Sequence, residues 1–360
     1  MSRMKGASVV EPRWVIGRAL PTPSTGHARQ HCSRPHMGSA RRVLKGMAGH
    51  VWTVGPALIS SLQSPVKPHS RVFRTVIEDP ALGQVRLTGL FSELAGSETI
   101  VLVVHGLAGN AASPYCASAA RAAIGAGFSC LRLSLRGADY SGEDILHGGI
   151  TPDVWAALAA PAIARYKHVL LLGYSVGGHI ALRAAIEGTD SRLRAAAAIC
   201  PPLDLHQAAA AFDHPARRPY RLHIFQSLNR AYAATAARGR AHIPPEIVAR
   251  ARSCRERDYL TVVPRFGYAS AEDYYERESV AHKLHDLKIP SLVVASHHDP
   301  LVPAPTLLSS LAGAPNALSV KWVEPGGHVY FPRRLDLGQS GPVGLEHQVI
   351  RWLAERSEIR

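Results

Sequence analysis

His168-Val169-Leu170-Leu171-Leu172-Gly173-Tyr174-Ser175-Val176-Gly177-Gly178 is an apolar run that closes on a serine fenced by glycines. Val169 to Leu172 offers no polar face to water, so it reads as a parallel strand buried on both sides. Beyond the glycines, Ile180 to Glu187 has helical spacing and stops at Gly188, a residue suited to the left-handed turn that ends a helix. Ser175 therefore falls on a tight strand-to-helix turn. Gly173 and Gly177, two before and two after it, let strand and helix approach closely enough to hold a strained backbone there. Its hydroxyl is expected at the C-terminal edge of the strand, beside the positive end of the following helix.

The surrounding chain can support such a turn. At 360 residues, 46% hydrophobic and 19% charged, it can bury a large core, which excludes disorder throughout. No apolar run approaches the roughly 20 residues of a membrane-spanning helix. Cys32, Cys116, Cys130, Cys200 and Cys254 show no C-x-x-C or clustered spacing and suit a reduced, cytoplasmic setting. The net charge of +14 is unevenly spread: residues 1–50 carry nine Lys/Arg against Glu11 alone, leaving only +6 for the rest. That remainder is too diffuse for a nucleic-acid groove. Residues 1–49 read as a basic, disordered leader without the apolar core of a secretory signal. Of a transit-like peptide, a tether that meets a membrane surface and translation begun upstream of the true start, the last two are the expectation.

From residue 50 to 360 the pattern is that of one domain. Val72 to Glu78 and Gln84 to Leu90 alternate as an antiparallel pair joined through Asp79-Pro80 and Gly83. Thr99 to Val104, Ser129 to Leu135 and Leu193 to Cys200 are buried strands, with helices at Pro114 to Ile124 and from Thr151, read as a cap, toward His168. Residues 203–287 change rhythm, with Leu222, Phe225, Leu228 and Tyr232 at helical spacing and a break at Pro244-Pro245, so they read as a helical insertion. Strand Ser291 to Ala295, helix Pro305 to Leu311, strand Leu318 to Val323 and a helix from Val343 to Ala354 complete the alternation. Strands alternating with helices give a mostly parallel sheet covered on both faces.

Chemistry in such a sheet gathers where strands end. One late strand ends in His297-His298-Asp299-Pro300 and the last in Glu324-Pro325-Gly326-Gly327-His328. The order serine, acid, histidine is that of an α/β-hydrolase sheet. His328 is expected to take the proton of Ser175 and Asp299 to hold the imidazole tautomer. Asp299 before proline is also a common turn residue, which is the lesser reading of it. The oxyanion donors are expected to be the backbone N–H groups of Val176 and Leu107, the latter on the Gly106 to Gly109 loop. His297 and His298 point to opposite faces of one strand end, so no metal is expected there. The loop lacks the lysine and spacing of a phosphate-binding loop, and no cofactor is called for.

His105-Gly106-Leu107-Ala108-Gly109-Asn110, Arg136-Gly137, Gly173-Tyr174-Ser175-Val176-Gly177-Gly178, Tyr274-Tyr275 with Ser279, Asp299-Pro300 and His50 to Leu58 together resemble the YheT-like branch of the α/β-hydrolases. That branch comprises the bacterial relatives of the eukaryotic ABHD lipid esterases. The resemblance covers residues 50–355 and implies hydrolysis of short or medium acyl esters, lipids among them, by Ser175, Asp299 and His328. His298 departs from it, standing where the branch often has a second aspartate. The expectation is an α/β-hydrolase fold with a helical lid at 203–287, acting on a small-molecule ester through an acyl-enzyme. Acyl transfer to an alcohol, or a binding protein with a vestigial triad, are the rivals.

Overall fold

The computed structural model describes residues 48–55 and 68–358, so nearly all of the basic leader lies outside the described residues. Residues 48–55 are helical (α1) and cross the domain boundary expected at residue 50. The β1 (Arg71–Asp79) and β2 (Gly83–Ser92) hairpin forms as expected, with Asp79 paired to Gly83 across its turn. There follow β3 (Thr99–Val104), α2 (Pro114–Gly125), β4 (Ser129–Ser134), α3 (Thr151–Ala159), α4 (Pro161–Ala164), β5 (His168–Tyr174), α5 (Val176–Glu187) and β6 (Leu193–Ile199). The insertion holds α6 (Leu205–Asp213), α7 (Arg218–Ala237), α8 (Pro245–Val248), α9 (Cys254–Leu260), α10 (Val262–Phe266) and α11 (Ala271–Glu278), and no strand. The chain returns to the sheet through β7 (Ser291–Ser296), α12 (Pro305–Leu311), β8 (Leu318–Val323) and α13 (Leu345–Arg356).

The sheet has eight strands in the order β1-β2-β4-β3-β5-β6-β7-β8, antiparallel around β2 and parallel from β4 onward. Period-two alternation sends neighbouring side chains to opposite layers. Ile100, Leu102, Leu171 and Val293 pack with α3, α5 and α12, whereas Val101, Val103, Leu170, Leu172 and Val294 pack with α2 and α13. Both faces being covered, the central strands are mostly apolar and β5 lies in mid-sheet.

Two local expectations change. Helix α5 begins at Val176 rather than Ile180, because the whole change of direction is made at Ser175 and Val176 to Gly178 are already helical. Thr151 is the first helical residue of α3 rather than its cap; Ile150 takes the cap position and supplies no side-chain bond. Asp153 has a tertiary use instead. Its carboxylate receives the backbone N–H of Arg136 at 2.8 Å and that residue's guanidinium at 2.6 and 2.9 Å.

Arg136 is the centre of a buried ionic cluster. It also donates to Asp79 and Asp144, both at 3.0 Å. Arg265, from lid helix α10, reaches the same two carboxylates at 2.9 and 2.7 Å. Burial works against the charge of Arg136, and the Asp153 and Asp144 carboxylates reverse this, holding its pKa above the ordinary arginine value. The cluster joins the β1–β2 turn, the loop after β4, α3 and the lid. Removing one member of such a group strands the others in a low dielectric. Arg265→Met should therefore lower the unfolding free energy by about 3–5 kcal/mol, measured by urea denaturation. An unchanged midpoint would show that the cluster does not hold the lid down.

Candidate active site

Ser175 caps α5 with φ 53° and ψ −123°, a conformation L-residues rarely adopt. Such a torsion costs on the order of 1–3 kcal/mol and persists only where the surroundings over-determine it. The two glycines do so by close approach. A Cβ on Gly173 would lie 2.0 Å from the Gly177 carbonyl oxygen, and one on Gly177 would lie 2.3 Å from that of His105 and 2.4 Å from that of Val104. Backbone hydrogen bonds complete the turn: the Ser175 N–H donates to Ile199 O at 2.8 Å, and the Gly178 and His179 N–H groups donate to Ser175 O at 2.8 and 3.1 Å.

The loop after β3 lies against this turn, with Gly106 and Leu107 lining the same cavity as Ser175 and Val176. Its position is locked by His105. The Leu135 N–H donates to His105 Nε2 at 3.1 Å, so the ring's proton sits on Nδ1, which donates to Gly106 O at 2.7 Å. Complete burial pushes the His105 pKa down to about 4 and keeps the ring neutral. Tyr115 adds a further contact by accepting the Gly106 N–H at 3.1 Å. His105 and Tyr115 were not singled out individually from the sequence, although a histidine that opens a glycine-rich loop directly after a buried strand was a signal for the first.

Asp299 serves as turn residue and histidine partner at once, on different oxygens. Oδ1 accepts the N–H groups of Leu301 and Val302 at 2.8 and 2.9 Å. Oδ2 accepts from His328 Nδ1 at 2.8 Å, with both residues buried. His328 and Ser175 line one cavity. Cys200, at the end of β6 with φ 49°, places its sulfur within 4.8 Å of the Asp299 and His328 donor atoms. Burial holds its thiol pKa well above the ordinary value, so the group stays protonated. His297 stacks on Trp322, while His298 Nε2 bonds Glu324 Oε1 at 3.0 Å. The two imidazoles thus have separate partners.

The cavity has a volume of about 270 Å³ and is roofed by the insertion. Phe225, Leu228, Tyr232, Tyr274 and Tyr275 all line it, and Leu222, which shares their helical spacing, does not: it is 59% exposed on the outer face of α7. The tyrosines also fasten the roof. Tyr274 Oη accepts the Gly148 N–H at 2.7 Å, and Tyr275 donates to Asp258 at 2.7 Å.

A strained serine elbow, a buried Asp–His pair and a roofed cavity between them, on this sheet order, define a class, and the comparisons agree. The profile of the alpha/beta hydrolase fold family matches residues 99–333, and the chain belongs to that family. It is similar to the YheT protein of Escherichia coli (strain K12), 29% identical over 269 residues, 68% of this chain and 76% of that one. It is also similar to the medium-chain fatty acid ethyl ester synthase/esterase 2 of Saccharomyces cerevisiae, 26% identical over 266 residues, 64% of this chain and 58% of the yeast protein. The pimeloyl acyl-carrier protein methyl ester esterase of Xanthomonas campestris pv. campestris is 30% identical over 203 residues, 54% of this chain and 76% of that one. Among solved structures, the Pyrococcus furiosus esterase Pf2001 has a TM-score of 0.49 at 16% identity, covering 81% of this chain and 91% of that one.

His147 and His179 share the burial of His105, which depresses their pKa values to about 3 and about 4. At neutral pH these rings are uncharged whether the chain is folded or not. Below the ordinary imidazole value the unfolded chain takes up protons that the folded chain refuses, so stability is lost as pH falls from about 6.5 toward 4. The loss is about 2 kcal/mol per ring at pH 5. Urea denaturation should give a markedly smaller unfolding free energy at pH 5 than at pH 7.5; equal values would mean that the rings are not held neutral.

Proposed function

We propose that this chain is a serine esterase that cleaves carboxylic esters of short or medium acyl chains through an acyl-enzyme. The observation that carries the reading is the buried His328–Asp299 hydrogen bond opening onto the same cavity as the strained Ser175. Ser175 Oγ attacks the ester carbonyl carbon while His328 Nε2 takes the hydroxyl proton. Asp299 accepts the Nδ1–H throughout and stabilises the imidazolium. The tetrahedral oxyanion is held by the backbone N–H groups of Leu107 and Val176. Collapse breaks the bond to the alcohol oxygen, which leaves with the proton from His328. Water then attacks the acyl-enzyme, gives a proton to His328, and the acid departs as the proton returns to Ser175.

The mostly apolar wall supports an acyl chain, lipid-derived chains included, as the group that fills the cavity. A second outcome at the same acyl-enzyme is transfer to an alcohol in place of water, supported by the yeast relative's name as a synthase/esterase. It is separated from hydrolysis by the ratio of ester to free acid formed when an alcohol is added.

A fluorophosphonate probe should label the chain once, at Ser175. Ser175→Ala and His328→Ala should each lower turnover of a p-nitrophenyl ester by about 10³-fold or more, with the double variant little worse than either, because the triad acts as a unit. A folded chain that is never labelled and cleaves no ester in a graded acyl series would replace the enzyme reading with that of a binding protein.

The roof should set chain length. Phe225→Ala enlarges the cavity and should raise the ratio of long-chain to short-chain turnover by about tenfold. An unaltered ratio across p-nitrophenyl acetate to laurate would place the acyl chain elsewhere.

A further inference from the structure

Helix α1 touches both loops that carry the Asp–His pair, through two residues that are buried. Thr53 Oγ1 donates to Gly49 O at 2.8 Å, the bond back to the preceding turn that helical threonines commonly make. The same oxygen has a second role: it accepts the backbone N–H of His328 at 2.9 Å, across 275 residues of sequence. Immediately before His328, Gly327 lies so close that a Cβ there would be 2.5 Å from Thr53 Oγ1, 2.6 Å from Gly49 O and 2.7 Å from Thr53 N. On the other side, a Cβ on Gly49 would be 1.8 Å from the carbonyl oxygen of His298, the residue before Asp299. One turn of helix is thus wedged between the acid loop and the histidine loop, with a glycine at each point of contact: Gly49 of the helix against His298, and Gly327 of the histidine loop against the helix. His50 reaches outward from the same turn, stacking on Tyr220 of lid helix α7 and bonding its hydroxyl at 2.7 Å.

We infer that Thr53 is a positioning residue for His328: its hydroxyl oxygen, held by Gly49 O, fixes the backbone from which the imidazole reaches Ser175, and α1 sets the spacing between the acid and histidine loops. The inference rests on the reading of His328 as the base. A buried N–H left without an acceptor is costly, so loss of the threonine oxygen shifts the loop rather than leaving it in place. A displacement of about 1 Å at a proton-transferring group can cost on the order of 100-fold in rate. The threonine methyl contributes packing that valine reproduces. Hydroxyl and methyl contributions are therefore separable.

The test compares wild type, Thr53→Val and Thr53→Ser in the full-length chain. Thr53→Val should lower kcat for p-nitrophenyl butyrate by about 10- to 100-fold with KM within about twofold, because Thr53 itself does not line the cavity and the apolar roof residues are left in place. The fluorophosphonate labelling rate should fall in parallel, and Thr53→Ser, which restores the acceptor, should recover most of both. Should Thr53→Val fail to fold, Thr53→Ala against Thr53→Ser gives the same comparison. Equal labelling rates for wild type and Thr53→Val, or Thr53→Val and Thr53→Ser impaired alike, would overturn the positioning role while leaving the serine mechanism standing. A wild-type chain that is not labelled at all removes the serine mechanism, and this inference with it.

Discussion

A φ of 53° at Ser175 is the constraint on which the rest of the structure depends. No local preference favours that torsion for an L-residue, so it exists only because everything around it is fixed first. Strand β5 is hydrogen-bonded on both sides in mid-sheet, and α5 packs back onto β5 and β6. Only the absence of side chains at Gly173 and Gly177 allows those elements to meet. The strain is thus maintained by elements packed into the buried core on both faces of the sheet. Ser175 is then presented on a turn anchored between a central strand and a packed helix rather than on a long loop.

The roof is attached by a different kind of force. Its own apolar cluster is small, centred on Leu205, Val262, Val263, Tyr274 and Tyr275. Much of its attachment to the sheet is polar and specific. Arg265 enters the buried carboxylate cluster, Tyr274 accepts the Gly148 N–H, and Arg217 donates to Pro300 O at 2.6 Å beside the acid loop. Directional bonds of this kind hold a cavity open beneath them. A roof held by hydrophobic collapse alone would tend to fill it.

The Asp–His pair is assembled from the ends of β7 and β8, and its precision comes from neighbours outside those strands. Asp299 is held by two backbone N–H groups of its own turn, whereas His328 is held by Asp299 on its ring and by Thr53 on its backbone. Helix α1, far away in sequence, therefore contacts both loops.

Much of this was legible in the sequence, for a physical reason. Strands covered on both faces are mostly apolar, so β3, β4, β5, β6 and β7 are visible as runs, and side chains are excluded where the backbones of the elbow touch, so the turn around Ser175 is visible as glycine spacing. Strand ends are where polar chemistry can surface, which is why Asp299 and His328 could be picked from a chain with 19 histidines. The lid was readable as helix but its facing was not: Leu222 and Phe225 share one spacing, and only packing decides that the first is exposed and the second lines the cavity. Asp153 sits in the first turn of α3, and its membership of the ionic cluster could not be read locally, because it is set by Arg136 approaching from the loop after β4. Thr53 lies in the His50 to Leu58 stretch that carries the resemblance, but nothing in that stretch points to its contact. Its role exists only as a contact across 275 residues, and a hydrogen bond of that kind leaves no periodicity for a sequence to show.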